Sequence, residues 1–194
     1  PLSRPLEFRT EAPGKFRFLH FADAGEGSAQ QFAVSKLMHA KDADLVLANG
    51  DLAYDLATHS SIENNYYGVY REMMAQVPFF ATLGNHEYYS DSANPSLSGR
   101  VHPVAGVPYE DWGRYYSFDW ANAHFVALDS NWPLERAAGG TGAMLKWLDQ
   151  DLANTRKFWR IAFLNLSSPR TACTWTKGFP SLRATFPASA MSSY

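Results

Sequence analysis

Three apolar runs in the first half of the chain each stop at a short polar turn. Residues 16–22 end at Asp23-Ala24-Gly25, residues 45–48 end at Asn49-Gly50-Asp51-Leu52-Ala53-Tyr54, and residues 78–83 end at Gly84-Asn85-His86-Glu87. Runs this short and apolar read as buried strands rather than helices. Between them, residues 28–40 carry helical periodicity, with Ala29, Phe32, Ala33, Leu37 and Ala40 expected on one apolar face. Residues 62–76 read as a second helix, weakened by Gly68. Alternating strands and helices predict an α/β domain.

The second half adds a different element. Residues 115–120 and 124–129 read as a hairpin around Ala121-Asn122. Residues 142–154 predict a helix with Leu145, Leu148 and Leu152 on one side, and residues 158–164 a further strand. Residues 1–14 hold prolines and read as a lead-in, and residues 90–113 as a long polar loop. No internal repeat is visible. The expected organisation is a lead-in at 1–14, one α/β domain at 15–164, and an atypical tail at 165–194.

Composition bounds the function. The 194 residues are 46% hydrophobic and 15% aromatic, enough for one domain with a core rather than a disordered chain. A net charge of -2 gives no electrostatic footprint for nucleic acid or a membrane surface. No apolar run is long enough to span a bilayer. No signal-peptide pattern opens the chain at Pro1, which predicts a mature form or a fragment. Cys173 is the single cysteine, so no intrachain disulfide is possible.

The three turns suit metal and phosphate chemistry. In open α/β sheets functional residues gather just beyond the carboxyl ends of strands, where Asp23, Asp51 and Asn85 are expected. Carboxylates suit hard cations and can bridge two of them, and asparagine offers a neutral oxygen. The glycines permit sharp turns and close approach. His86 follows Asn85 directly, so one can face a phosphate while the other faces a metal. Taken singly, Asp-x-Gly reads as an ordinary turn and Gly-Asp-x-x-Tyr as little more. The force of the pattern lies in all three motifs occurring in order, each after a strand.

On these residues the chain resembles the calcineurin-like metallophosphoesterases, and within them the purple acid phosphatases. The general pattern of that superfamily opens Asp-x-His; here Gly25 takes the third position and Tyr54 supplies the compensating phenol, as in the purple acid phosphatase branch. Glu87 stands where many other branches carry Asp. Phe8-Arg9-Thr10, residues 115–119 and residues 124–129 agree with the same resemblance, which covers about residues 8–164.

The resemblance implies a sandwich of two mixed sheets flanked by helices, with its latter part missing here. It implies a binuclear centre of Fe(III) and a divalent Fe, Zn or Mn ion. Asp23 and Tyr54 would bind the iron, Asp51 would bridge both ions, and Asn85 would bind the divalent one. A metal-activated hydroxide would attack phosphorus in a small phosphate ester, with His86 as the catalytic residue facing the phosphate and the leaving group. A secreted or extracytoplasmic location is implied in the same way.

Other residues have simpler readings. His20 and His124 lie in strands and read as core histidines. His39 reads as a solvated helix residue, His59 and His102 as loop residues, and Tyr66, Tyr67 and Tyr70 as packing.

The tail breaks the pattern. Relatives would carry a histidine after the strand at 158–164 and then Gly-His-x-His. Here Asn165-Leu166-Ser167-Ser168-Pro169 follows, and residues 165–194 contain no His, Asp, Glu, Val or Ile. This composition predicts a loop or disordered tail and reads as a shifted reading frame or a splice variant, with a genuinely divergent C-terminus as the alternative. The expectation is an impaired phosphomonoesterase. The alternatives are a non-catalytic truncated pseudoenzyme and a phosphodiesterase of the same superfamily.

Overall fold

The computed structural model describes residues 14–90, 111–131, 142–165 and 172–177. In chain order the elements are β1 Phe18–Ala22, α1 Ala29–His39, β2 Leu45–Asn49, α2 His59–Ile62, a π-helical turn Glu63–Tyr67, and α3 Gly68–Met74. Then follow β3 Phe79–Thr82, α4 Asn85–Ser90, β4 Tyr116–Trp120, β5 Ala123–Ala127, α5 Ala143–Asn154, β6 Trp159–Leu164 and β7 Ala172–Lys177.

Two sheets result. The first is parallel, in the order β1-β2-β3, and the second is mixed, in the order β4-β5-β6-β7. In the second, β5 and β6 run parallel while β4 and β7 pair antiparallel at its edges. This is the α/β sandwich expected of the family.

Strand alternation explains the layers. Leu45 and Leu47 of β2 point into a cluster with Tyr116, Trp120, Phe125, Ala127, Ile161 and Phe163, which fills the space between the sheets. Val46 and Ala48 point the other way, into a cluster with Ile62, Tyr66, Val69, Tyr70 and Met73 under the helices. Beyond the second sheet, Val126, Leu128 and Leu164 meet Met144 and Leu148 of α5. β2 is therefore covered on both faces and buried throughout, which is why its run from Leu45 to Ala48 is apolar. Each leucine buried in this way contributes about 1.5–3 kcal/mol. Tyr66, Tyr67 and Tyr70 are packing residues, as expected.

Several expectations need correction. The apolar stripe of α1 does not face the core: Phe32 and Leu37 are exposed, while Gln31, Ser35 and Met38 are buried. Polar bonds set this orientation. The Gln31 side chain accepts the Gly27 N–H at 2.6 Å and donates to the Asn65 carbonyl at 2.7 Å, locking that side of the helix inward.

The helix expected over 62–76 begins at His59, where the Thr58 hydroxyl caps the Ser61 N–H, and passes through the π-helical turn before Gly68. His59 thus opens a helix rather than lying in a loop. His39 sits at the end of α1, only partly exposed and 3.8 Å from Glu72. His20 is exposed, because β1 is the edge of its sheet. His124 is buried, as expected.

Within the tail, residues 172–177 form β7 on β6, where composition predicted no sheet. Backbone pairing to an exposed edge needs little from side-chain composition, which is why the sequence did not reveal it. The expectations for residues 1–13, 91–110 (including His102), 166–171 and 178–194 lie outside the described residues. Among the described residues, no helix is long and apolar enough to cross a membrane.

Candidate active site

The carboxyl ends of β1, β2, β3 and β6 open onto one corner of the sandwich. Asp23 follows β1, Asn49-Gly50-Asp51 closes β2, Gly84 follows β3 and leads into α4, and Asn165 follows β6. Asp23 and Asp51 both have positive φ, at 53° and 51°, a region that aspartate enters more readily than most residues and that recurs where chains turn sharply at sites.

Two glycines let the three turns stack. A Cβ on Gly25 would collide with the backbone of Ala53, and one on Gly84 would collide with the carboxylate and backbone of Asp51. The first motif therefore lies directly on the second, and the second on the third. The Tyr54 N–H donates to the Gly25 carbonyl at 2.8 Å, which closes the first contact.

Asp51 is the centre of the arrangement and is buried. Its Oδ2 accepts the Tyr54 hydroxyl at 3.2 Å, and its Oδ1 accepts the His86 backbone N–H at 3.1 Å. The Tyr54 and His86 rings meet edge to face at 4.4 Å. His86 Nδ1 lies 2.6 Å from the Asp55 carbonyl, so this nitrogen carries a proton and donates it there. Burial, then the charges of Asp51 and Asp23, push the Tyr54 phenol well above its ordinary value. Asn85 is turned toward its own helix, where its Nδ2 donates to the Tyr89 hydroxyl at 2.8 Å. Asp23, Asp51, Tyr54 and His86 thus come together, with Asn85 at the rim.

Sequence reasoning noted Glu87 without giving it a role. It is buried, and its carboxylate accepts three backbone N–H groups: Gly84 at 2.6 Å, Asp51 at 2.9 Å and Leu52 at 2.8 Å. Burial raises its pKa to about 7 against the pull of those bonds. The signal was present in the motif, since an acid placed three residues after a glycine turn can fold back onto that turn.

Asn165 was also missed as a site residue. It is buried, and its Nδ2 donates to Asp23 Oδ1 at 3.2 Å and to the Asn49 carbonyl at 3.0 Å. Nothing local in the sequence could place it there, 142 residues from Asp23.

The donor set suits a hard cation. It is made of oxygens: two carboxylates, a phenol and amides. A phenolate at Tyr54 needs compensating positive charge, because burial and two carboxylates oppose its ionisation; a bound trivalent or divalent ion supplies that charge. Among the described residues no three His, Cys, Asp or Glu side chains gather as a metal cluster.

The family model for calcineurin-like phosphoesterases matches residues 16–187, and the chain belongs to that family. The match runs past Leu164 into the tail. Within the family the similarity is to purple acid phosphatases. Purple acid phosphatase 21 of Arabidopsis thaliana is 30% identical over 154 residues, covering 76% of this chain and 34% of that protein. Purple acid phosphatase 22 of the same plant is 26% identical over 154 residues, with the same two shares. The chain thus spans about a third of the length of the curated relatives it matches.

Proposed function

We propose that this chain carries the first part of a phosphomonoesterase site, in which Asp23, Asp51, Tyr54 and Asn85 hold a binuclear centre of Fe(III) with a divalent Fe, Zn or Mn ion. The observation that carries this reading is the single carboxylate of Asp51, bonded at once to Tyr54 and to the backbone of His86. When bound, such a centre supplies Lewis acidity and a water of lowered pKa.

The chain's own residues do the rest. Asp51 would hold both ions, its Oδ2 now accepting from Tyr54 of its own motif and its Oδ1 from the third motif's His86 N–H. Tyr54 would hold the trivalent ion as its phenolate, releasing to solvent the proton it now donates to Asp51. Asn85, whose Nδ2 now donates to Tyr89, would offer its amide oxygen to the divalent ion. The Asp55 carbonyl holds the His86 Nδ1 proton; with a second proton on Nε2 the ring would donate to a phosphate oxygen or to the leaving group. Gly25 and Tyr54 together favour a monoesterase over a phosphodiesterase of the same family. A small phosphate ester as substrate and an extracytoplasmic location belong to the same proposal and rest on the family resemblance.

We also propose that turnover by these 194 residues is weak. The sequence holds no histidine after His124, so the oxygen donors of the early motifs stand without nitrogen ligands, and metal affinity falls with ligand number. The same observation favours a second reading, a metal-binding chain without catalysis.

Reconstitution with Fe(III) and Zn(II) or Mn(II), followed by visible absorption and p-nitrophenyl phosphate hydrolysis, separates these readings. An iron–tyrosinate band with slow turnover supports the proposal. A band without turnover selects the non-catalytic reading. Neither band nor turnover removes the metal-centre reading altogether.

A further inference from the structure

We propose that Tyr89 is a positioning residue of this site: its hydroxyl holds the amide nitrogen of Asn85 and so presents the amide oxygen to the divalent ion. The inference rests on the metal-centre reading above.

Helical spacing brings the residues together. Asn85 and Tyr89 stand four apart on α4, and His86 and Tyr89 three apart, so both side chains meet the tyrosine. Asn85 Nδ2 donates to the Tyr89 hydroxyl at 2.8 Å, while Asn85 Oδ1 accepts from no described residue. The amide is held by its nitrogen end, and its oxygen end is left for another partner.

Tyr89 is 61% exposed, yet its ring is pinned. It packs on the His86 imidazole at 4.9 Å and 64°. That imidazole is fixed in turn by the Tyr54 ring at 4.4 Å and by its bond to the Asp55 carbonyl at 2.6 Å. The ring contact limits the rotamers of Tyr89 and keeps its hydroxyl within reach of Asn85. A relay of contacts therefore runs from the second motif through His86 and Tyr89 to Asn85.

The gain comes when the ion binds. The terminal torsion of asparagine is soft and two-fold, so an unheld amide turns its nitrogen toward the ion as readily as its oxygen. Only the oxygen is a ligand. With that oxygen coordinated, the amide N–H becomes a stronger donor, and the Tyr89 hydroxyl is the acceptor already in place. A hydrogen bond of this kind is expected to contribute about five- to tenfold in affinity. A contact that merely supported α4 would act differently: its loss would lower the melting temperature and disturb the trivalent and divalent sites together.

The test uses the full chain loaded with Fe(III) and titrated with Mn(II), with the free-ion EPR signal reporting affinity, in the wild type and in Tyr89→Phe. Phenylalanine keeps the ring on His86 and removes the hydroxyl alone. The expected result is Mn(II) binding weaker by about five- to tenfold, with the iron–tyrosinate absorption and the melting temperature unchanged. A loss below about threefold overturns the role of Tyr89 and leaves the metal centre standing. A lowered melting temperature or a lost iron–tyrosinate band alongside weaker Mn(II) binding also overturns it, because the hydroxyl then acts on the structure of α4 rather than on Asn85. A wild type that takes up no Mn(II) overturns both the inference and the reading it rests on.

Discussion

The Glu87 carboxylate holds the Asp51 backbone, accepting its N–H at 2.9 Å while also accepting those of Gly84 and Leu52. The third motif therefore positions the second. Substituting Glu87 by Ala leaves three buried N–H groups unmet and is expected to destabilise the chain by about 3–5 kcal/mol. Glu87→Gln keeps one acceptor oxygen but turns an NH2 toward donors, for a loss of about 2 kcal/mol. Urea unfolding of the metal-free protein checks both. A neutral result for Glu87→Ala would show that water replaces the carboxylate.

Gly84 faces Asp51 so closely that no side chain fits. Gly84→Ala must push the third turn off the second, and we expect a loss of ~3 kcal/mol or more, since the atoms it meets include backbone. Thermal unfolding against wild type measures it. An unchanged melting temperature would mean that the two turns are not stacked as described.

Tyr54→Phe removes one hydrogen bond, that to Asp51 at 3.2 Å, and is expected to change metal-free stability by only about 1 kcal/mol. Its effect on the iron-loaded protein is larger: the iron–tyrosinate absorption disappears. A band that survives Tyr54→Phe would assign the phenolate to another tyrosine.

His124 lies between two carboxylates, with Nδ1 2.7 Å from Asp119 Oδ1 and Nε2 2.7 Å from Asp151 Oδ2, and so ties α5 to the β4–β5 hairpin. Burial alone would lower its pKa, but Asp151 and Asp119 outweigh it and the net shift is upward. A histidine whose pKa rises on folding stabilises fully below its unfolded value, about 6.5, and loses that contribution as pH climbs through the folded value. The melting temperature should therefore fall from about pH 6 upward more steeply in the wild type than in His124→Gln. Parallel pH profiles would show that the imidazolium contributes nothing.

Local pattern made much of this protein legible. The strands at β1, β2, β3 and β6 were visible because each is a short apolar run ending in a turn. Asp23, Asp51, Tyr54 and His86 were visible because parallel strands deliver their carboxyl ends to one side. The apolar stripe of α1 misled, because polar bonds from Gln31 outweighed hydrophobic periodicity. Composition hid β7, since backbone pairing asks little of side chains.

The sequence by itself determined the chemistry available: two carboxylates, a phenol, an amide and an imidazole, each fixed to a strand end by its neighbours in the chain. Tertiary structure alone decided which of them touch. Asn165 reaches Asp23 only because β6 lies across the sandwich from β2, where the Asn49 side chain donates to the Leu164 carbonyl at 2.9 Å. Glu87 became the lock on Asp51 only when Gly84 allowed the two turns to stack. Contacts between residues far apart in the chain depend on how sheets pack and which buried polar groups must find partners, and no local window of sequence contains that information.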